Sequence, residues 1–179
     1  MSAGLFPFQG DITTAYLIPK LPKRHQLFMS MPRGMPGFSP GQKMWLTRGL
    51  YGLRNASYLW SEHFAKVVKG MGFSQSPEAP CVFYIEKHDV IVCILAVFVD
   101  DVVILSSMEQ YQKVVDGFPA NFKFKELGTP EYLLGMKISW KFGDGPDRPP
   151  TEMFISMKEY IQKVIRRFGL DDATPKHTP

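Results

Sequence analysis

Two adjacent aspartates, Asp100 and Asp101, interrupt the most apolar stretch of the chain. Residues 91–99 and 102–105 on either side are apolar and rich in β-branched side chains, a composition that predicts two buried strands. Successive side chains of a strand point to opposite faces, so an unbroken strand would bury one of the two carboxylates. A tight turn at the two aspartates would instead place both at the tip of a hairpin. Carboxylate oxygens there suit a divalent cation.

Asp11 is the best candidate for a third carboxylate. It follows a short apolar stretch and precedes residues 12–17. Metal-assisted phosphoryl chemistry generally needs more ligands than one hairpin tip supplies, and Asp11 would provide one. The alternative is that Asp11 caps a helix beginning at Ile12, since aspartate is a favoured N-cap residue. The two roles are compatible, because an aspartate at a strand end can also begin a helix.

The composition describes a folded protein of about one domain. Hydrophobic residues make up 45% of the 179 residues, which excludes an intrinsically disordered chain. No apolar segment reaches the ~18 residues of a membrane helix, and residues 1–10 lack the features of a signal peptide. The net charge of +4 weakly favours a polyanionic partner. Cys81 and Cys93 are interpreted as buried free thiols.

The order of predicted elements indicates an α+β fold with a split βαββαβ sheet. Residues 18–41 are rich in Pro, Gly and cations and predict a loop with one short strand near 26–31. A helix is expected over 57–71, capped by Asn55 or Ser57 and ended by Gly72. The remaining predictions are strands at 81–85, 90–99, 102–105, 132–140 and 153–155, helices at 108–118 and 157–168, a turn at 143–150 and a linker at 171–179.

Five blocks, in order along the chain, resemble reverse transcriptases of copia-like LTR retrotransposons. Phe98-Val99-Asp100-Asp101 resembles the Tyr/Phe-x-Asp-Asp box, and Asp11 followed five residues later by Tyr16 resembles the first catalytic motif. Residues 50–60 resemble the Leu-Tyr-Gly-Leu-Lys-Gln-Ala-Pro-x-x-Trp block. Residues 127–128 with 132–138 are similar to the Leu-Gly…Tyr-Phe-Leu-Gly-Ile-Glu segment. Residues 160–170 and 178–179 are similar to the helix and Thr-Pro ending that follow it.

The resemblance implies an RNA-directed DNA polymerase with a right-hand architecture. Residues 1–140 would be the palm with partial fingers, the fingers part being about 19–56, and residues 141–179 would be the start of the thumb and a linker. Asp11, Asp100 and Asp101 would be the catalytic residues and would hold two Mg²⁺ ions, with Mn²⁺ as an alternative. Implied partners are an RNA or DNA template-primer, dNTP, and the integrase and RNase H domains of a polyprotein, with no membrane.

The resemblance also assigns residues to substrate contacts, each with a structural alternative. Tyr16 matches a steric gate against the ribose 2′-OH, or packs in the core. The primer grip would be Leu134, Gly135 and Met136, or these form an ordinary strand. The cations of the last helix would face either the phosphate backbone of nucleic acid or solvent; they are Lys158, Lys163, Arg166 and Arg167. The nucleotide-binding segment, whose main-chain amides would contact the triphosphate, comprises Ile12, Thr13, Thr14, Ala15 and Tyr16.

Departures from the family pattern keep a second function open. Asn55 and Ser57 stand where the family usually has Gln and Pro, and the sequence begins ten residues before Asp11, without the upstream fingers segment. The chain is therefore expected to be a fragment or a degenerate copy. The alternative function is a non-catalytic, retrotransposon-derived module that binds nucleic acid or protein. A nucleotide cyclase is disfavoured by residues 50–60. The expected location is intracellular: cytoplasmic, in a virus-like particle, or nuclear.

Overall fold

The computed structural model describes residues 4–23, 27–32, 34–37, 39, 41–144 and 148–174. In this part of the chain three α-helices accompany a mostly antiparallel set of strands, which confirms a mixed α+β protein. The helices are α1 (Ala56–Gly70), α2 (Met108–Gly117) and α3 (Lys158–Arg167), and a single 3₁₀ turn spans Ala15–Leu17. The strands are β1 (Phe6–Ile12), β2 (Phe28–Ser30), β3 (Lys43–Trp45), β4 (Ser74–Gln75), β5 (Val82–Lys87), β6 (Val90–Phe98), β7 (Asp101–Ser106), β8 (Phe124–Gly128), β9 (Tyr132–Leu133), β10 (Met136–Phe142) and β11 (Pro150–Ser156).

A six-stranded antiparallel sheet in the order β4-β5-β6-β7-β1-β8 forms the centre of the molecule. Along the chain, β1, α1, β6, β7, α2 and β8 occur in this order, with β2 and β3 between β1 and α1 and with β4 and β5 between α1 and β6. Although β1 comes first in the sequence, it lies between β7 and β8. The earliest strand is therefore buried in the sheet, beside the strand that begins with Asp101.

One apolar core joins α1 and α2 to one face of this sheet. Trp60, Phe64 and Val68 recur at four-residue spacing on α1 and are each at most 3% exposed, so the predicted helix over 57–71 is confirmed. At Gly10 the core requires glycine, because a Cβ there would lie 2.0 Å from the ring of Phe124. The side chain of β8 thus packs directly on the backbone of β1.

A three-stranded sheet, β11-β10-β9, and α3 follow the central sheet. Its attachment to β1 includes a hydrogen bond of 3.1 Å, in which Gln9 Nε2 donates to the Tyr132 carbonyl. Glu159 on α3 accepts hydrogen bonds from Tyr132 and Lys137. None of the residues of α3 is buried. No helix within the described ranges has the length and apolar composition needed to cross a membrane.

Several local predictions were wrong. The predicted helix from Ile12 does not form: Ile12 ends β1, and the next helical residues are the 3₁₀ turn. The predicted strand 132–140 is a hairpin, since Leu134 and Gly135 have φ values of 51° and 79° and connect β9 to β10. Cys81 is exposed, whereas Cys93 is buried as expected.

Other strands were missed, or their prediction extends past the described residues. The short strands β3 and β4, and the longer β8, were not predicted. The strand predicted near 26–31 corresponds to β2, although Gln26 lies outside the described residues. Residues 145–147 of the predicted turn, and residues 175–179 with the Thr-Pro ending, also lie outside them.

Candidate active site

Asp11 and Asp101 are direct cross-strand neighbours in the central sheet. β1 and β7 pair antiparallel, and their register places Asp11 opposite Asp101. Ile12 and Val102, the next residues on the two strands, are fully buried in the core. Because alternate side chains face opposite sides of a strand, both carboxylates lie on the face away from α1 and α2. Like charges opposite one another destabilise a sheet, so this pair is unfavourable on its own.

Asp100 occupies the two-residue turn that joins β6 to β7. Phe98 pairs with Asp101, which leaves Val99 and Asp100 as the turn. The predicted tight turn is therefore confirmed, although Asp101 itself begins the strand. Val99 has a φ of 56°, a left-handed conformation that is rare for a β-branched residue. Such a backbone costs of order 1–3 kcal/mol and is kept only where the surroundings hold it in place.

Two hydrogen bonds to main-chain carbonyls hold this turn. The indole Nε1 of Trp60, a residue of α1 that is 3% exposed, donates to the Val99 carbonyl at 2.9 Å. The main-chain N–H of Ile12 donates to the Asp100 carbonyl at 2.8 Å. The turn is thus fixed both by the helix beneath it and by the strand that carries Asp11.

The carboxylate of Asp100 has partners of its own. The Tyr51 hydroxyl lies 3.3 and 3.4 Å from its two oxygens, which is long for an O–H···O hydrogen bond. The main-chain N–H of Ala15 also donates to this carboxylate. The Tyr51 ring packs against the ring of Tyr16, with centroids 4.9 Å apart. Residues from the 3₁₀ turn and from the 50–60 block therefore meet at Asp100.

The electrostatics of the site reflect three carboxylates in one place. Burial is the main cause that raises the pKa of Asp101, and the charges of Asp11 and Asp100 add to it. Burial also raises the pKa of Asp100, with a further contribution from Asp11, whereas the hydrogen bonds from Tyr51 and Ala15 oppose the rise. Burial and the charge of Asp100 raise the pKa of the Tyr51 hydroxyl. A cation near these carboxylates would relieve the repulsion.

No ion pair neutralises the three carboxylates in the described part of the chain. Lys125 lies opposite Asp11 on β8, in the register of the sheet, without forming such a pair. Among the described residues, no group of three or more His, Cys, Asp and Glu side chains is arranged to hold a metal ion. The carboxylates are neighbours, but they do not form a closed metal site.

The predicted nucleotide-binding segment is only partly available to a ligand. The N–H of Ile12 is bonded to Asp100, and that of Thr13 to the Lys123 carbonyl at 2.9 Å. These two amides are not free donors for a triphosphate. Thr14 adopts a left-handed conformation with φ of 59° and leads into the 3₁₀ turn. The buried Ala15 turns its N–H towards Asp100, as described above.

Tyr16 lies between the apolar core and the turn that carries Asp100. Its side chain is half-buried and packs against the core. It also lines a cavity of about 180 Å³ together with Trp60, Phe98 and Val99. The ring is therefore next to the turn that carries Asp100, and its role as a steric gate stays a prediction.

The predicted primer-grip residues lie at the tip of the β9–β10 hairpin and at the start of β10. Leu134 is exposed, and Met136 pairs with Leu133. Gln9, which holds β9, has the same strand parity as Asp11 and so lies on the same face of β1. The hairpin is thus attached on the carboxylate side of the sheet.

Comparison with known proteins identifies the family. A profile described as "Reverse transcriptase (RNA-dependent DNA polymerase)" matches residues 5–179. The chain belongs to this reverse transcriptase family. The resemblance to reverse transcriptases of copia-like retrotransposons is thereby confirmed.

The curated relatives of this reverse transcriptase chain are transposon proteins. It is 29% identical over 175 residues to a retrovirus-related Pol polyprotein from transposon TNT 1-94 of Nicotiana tabacum, covering 96% of the chain and 12% of the relative. It is 27% identical over 176 residues to the Pol polyprotein from transposon RE1 of Arabidopsis thaliana, covering 96% and 11%. A putative transposon Ty5-1 protein of Saccharomyces cerevisiae is 25% identical over 171 residues, covering 94% and 52%. The chain therefore spans about an eighth of the first relative's length.

Tyr51 and Trp60 are the site residues that sequence reasoning missed. Both belong to the 50–60 block, which identified the family but carried no assigned role for either side chain. The available signal was the position of Trp60 on the apolar face of α1, which indicated burial and not the hydrogen bond to the Val99 carbonyl. The contact between Tyr51 and Asp100 joins residues 49 positions apart, so no local pattern reports it.

Proposed function

We propose that this chain is the core of an RNA-directed DNA polymerase, in which residues 1–18 and about 57–140 form the palm. About 19–56 would then belong to the fingers, and residues 141–179 to the start of the thumb. The observation that carries the proposal is the register of the central sheet, with Asp11 opposite Asp101 and Asp100 in the adjoining turn. Polymerase chemistry needs carboxylates from separate elements at one point, and the cross-strand pairing of Asp11 with Asp101 next to the Asp100 turn supports such a site.

The chemistry of the donor set fits divalent cations. Mg²⁺ is usually held by one or two carboxylates together with substrate phosphates and water, and seldom by a closed protein cage. Three neighbouring carboxylates with raised pKa values at two positions fit that behaviour. Asp11, Asp100 and Asp101 would hold two Mg²⁺ or Mn²⁺ ions, whose chemistry would be to lower the pKa of the primer 3′-hydroxyl and to neutralise triphosphate charge.

The protein would contribute position and shape. Trp60 and the Ile12 amide fix the main chain of the turn, so the Asp100 carboxylate is held before any substrate arrives. Tyr16 would exclude ribonucleotides from the neighbouring space. The β9–β10 hairpin, with Leu134, Gly135 and Met136, would hold the primer end from the same side of the sheet, and the cations of α3 would contact phosphates.

The remaining partners follow from the family and from the relatives' printed names. An RNA or DNA template-primer and dNTP would be the substrates. The plant relatives are named Pol polyproteins. By the family resemblance, integrase and RNase H domains would accompany this core, in a cytoplasmic virus-like particle or in the nucleus. The alternative function is a non-catalytic, retrotransposon-derived module that binds nucleic acid or protein.

Metal binding tests the proposal directly. Electron paramagnetic resonance of Mn²⁺ should show ions bound to the chain in the presence of template-primer and dNTP. Asp11→Asn and Asp100→Asn should each weaken this binding while template-primer binding is retained, because they remove metal ligands and not phosphate contacts. The matched control is Asp116→Asn, an exposed aspartate on α2.

Primer extension distinguishes the two functions. Any Mg²⁺-dependent extension by this chain should be lost in Asp100→Asn, because the substitution removes a metal ligand. Mn²⁺ binding that is the same in Asp11→Asn and Asp116→Asn would refute the metal-binding role and leave the non-catalytic module.

A further inference from the structure

A cleft on the α1 side of the molecule is lined by cations. Its volume is about 460 Å³, and its lining includes the cationic residues Lys20 and Arg48 together with His63. Lys20 and Arg48 are brought together by an antiparallel β-bridge between their backbones. The guanidinium of Arg48 donates one hydrogen bond to the Ile18 carbonyl, which fixes the position of the guanidinium. A guanidinium has five N–H donors, so the others can bind a ligand.

The charges around this cleft are unbalanced. Lys20 and Arg48 are like charges directly opposite one another, an arrangement that destabilises strand pairing unless an anion is present. Burial lowers the pKa of His63, and the charges of Lys66 and Arg48 lower it further. In the described part of the chain, no ion pair with a carboxylate involves any of these side chains. The cleft is therefore suited to an anionic ligand.

The rest of the cleft is suited to a nucleotide unit. Ile18, Pro19 and Leu59 form an apolar wall, and Asn121 adds an amide that can donate and accept hydrogen bonds. A ligand site of this kind is mostly apolar with a few polar groups, and ligand pockets usually measure about 300–1,000 Å³. One phosphate on the cations, with its sugar or base on the apolar wall, satisfies both parts of the surface.

The cleft lies on the helix-bearing side of the sheet, opposite the Asp11 and Asp101 carboxylates, and is built from segments that adjoin the candidate active site along the chain. Ile18 and Pro19 directly follow the 3₁₀ turn whose Tyr16 lines the cavity at Val99. Leu59 precedes Trp60, and His63 lies one helical turn further along α1. A nucleic-acid strand in the cleft would therefore pass next to α1 and the 3₁₀ turn, the elements that hold the Asp100 turn.

We propose that Lys20, Arg48 and His63 form a phosphodiester site for single-stranded nucleic acid. The proposal deepens the proposed function, on which it rests, by naming a place for the nucleic-acid backbone outside the carboxylate site. Lys20 and Arg48 contact phosphate oxygens, and the His63 imidazole contributes a hydrogen bond.

Fluorescence anisotropy of a labelled oligothymidylate, titrated with the full chain at several salt concentrations, tests the site. The double variant Lys20→Gln/Arg48→Gln removes two single-strand phosphate contacts, each contributing ~0.7 to the salt exponent. The slope should fall by about 1.4, and affinity at roughly 0.1 M salt should fall about 25-fold. Arg48→Lys should keep the slope, because it keeps the charge.

A matched control removes two charges elsewhere. Lys87 and Lys113 line a different cavity, between β5 and α2, so Lys87→Gln/Lys113→Gln changes net charge equally. It should leave the slope unchanged. Thermal melting by circular dichroism checks that all variants remain folded.

Three outcomes would overturn the inference. They are equal losses in the two double variants, no oligothymidylate binding by the unmodified chain, and displacement by inorganic polyphosphate that matches displacement by unlabelled oligothymidylate. The carboxylate variants separate this inference from the proposed function. If Asp100→Asn leaves Mn²⁺ binding unchanged, the polymerase role fails, while a loss specific to Lys20→Gln/Arg48→Gln still supports the phosphodiester site.

Discussion

The backbone of Val99 predicts that glycine is better than alanine at this position. Its φ of 56° places a Cβ atom in the left-handed region, where an L-residue is strained. The strain is about 1–2 kcal/mol for a residue with a Cβ. Glycine avoids it but loses about 0.5–1 kcal/mol of backbone entropy relative to alanine. The expected net result is that Val99→Gly is about 0.5–1 kcal/mol more stable to unfolding than Val99→Ala.

The comparison of Gly with Ala removes the contribution of the valine side chain. Val99 is half-buried and packs against the core, so either substitution loses those contacts. The loss is common to Val99→Ala and Val99→Gly and cancels in their difference. Urea unfolding, followed by circular dichroism, gives the difference in free energy between the two variants.

Val103 provides the matched control. It is a half-buried valine within β7 and is not among the described residues with positive φ. Val103→Gly should therefore be less stable than Val103→Ala by about 0.5–1 kcal/mol, the usual cost of glycine within a strand. The sign of the Gly–Ala difference should invert between the two positions. The same sign at both would show that the Val99 turn is not strained.

Three further predictions concern the core and the carboxylates. Trp60→Phe should lower the free energy of unfolding by about 1–3 kcal/mol in urea titrations, because the Val99 carbonyl loses its hydrogen-bond donor. A loss under ~0.5 kcal/mol would contradict the contribution of this hydrogen bond. Gly10→Ala should destabilise the fold by roughly 1–3 kcal/mol, because the new Cβ clashes with Phe124. Gly70→Ala should not destabilise it, because no atom lies within 4 Å of the new Cβ. Equal effects of the two substitutions would contradict the packing of Phe124 on Gly10. Asp101→Asn should stabilise the fold at neutral pH, because the raised pKa of Asp101 means that its charge destabilises the folded state once pH rises through that pKa. The difference in unfolding free energy between the variant and the unmodified chain should vanish below pH 3.8, the ordinary pKa of the group. A difference that persists there would refute the electrostatic cause.

The sequence was sufficient for the carboxylate turn because its signal is local. Buried apolar residues on both sides of Asp100 and Asp101 leave a turn as the arrangement that avoids burying a charge. The pairing of Asp11 with Asp101 could not be derived in the same way, because it depends on β1 lying between β7 and β8. The residues indicated Asp11 as a third carboxylate and the family resemblance assigned it to one site with Asp100 and Asp101, but neither predicted that Asp11 pairs with Asp101.

Strand β8 shows why other parts could not be predicted. Its residues Phe124–Gly128 carry two charges and a glycine, and most are exposed, so neither alternation nor an apolar run marks a strand. The strand exists because β1 offers an unpaired edge and Phe124 packs onto Gly10. Missing β8 also meant missing Lys125, the residue that lies opposite Asp11.

The features of the site that destabilise the fold are localised at Val99 and the carboxylates, whereas the packing of the neighbouring core stabilises it. Left-handed Val99 and the opposed carboxylates each destabilise the fold locally. Trp60 lies at the junction, since its ring packs in the core and its indole N–H reaches the strained turn. Burial of the ring fixes the donor, and the donor holds the carbonyl of a residue that would otherwise relax out of the left-handed region. The position of Asp100, which is itself half-buried, therefore depends on the packing of α1.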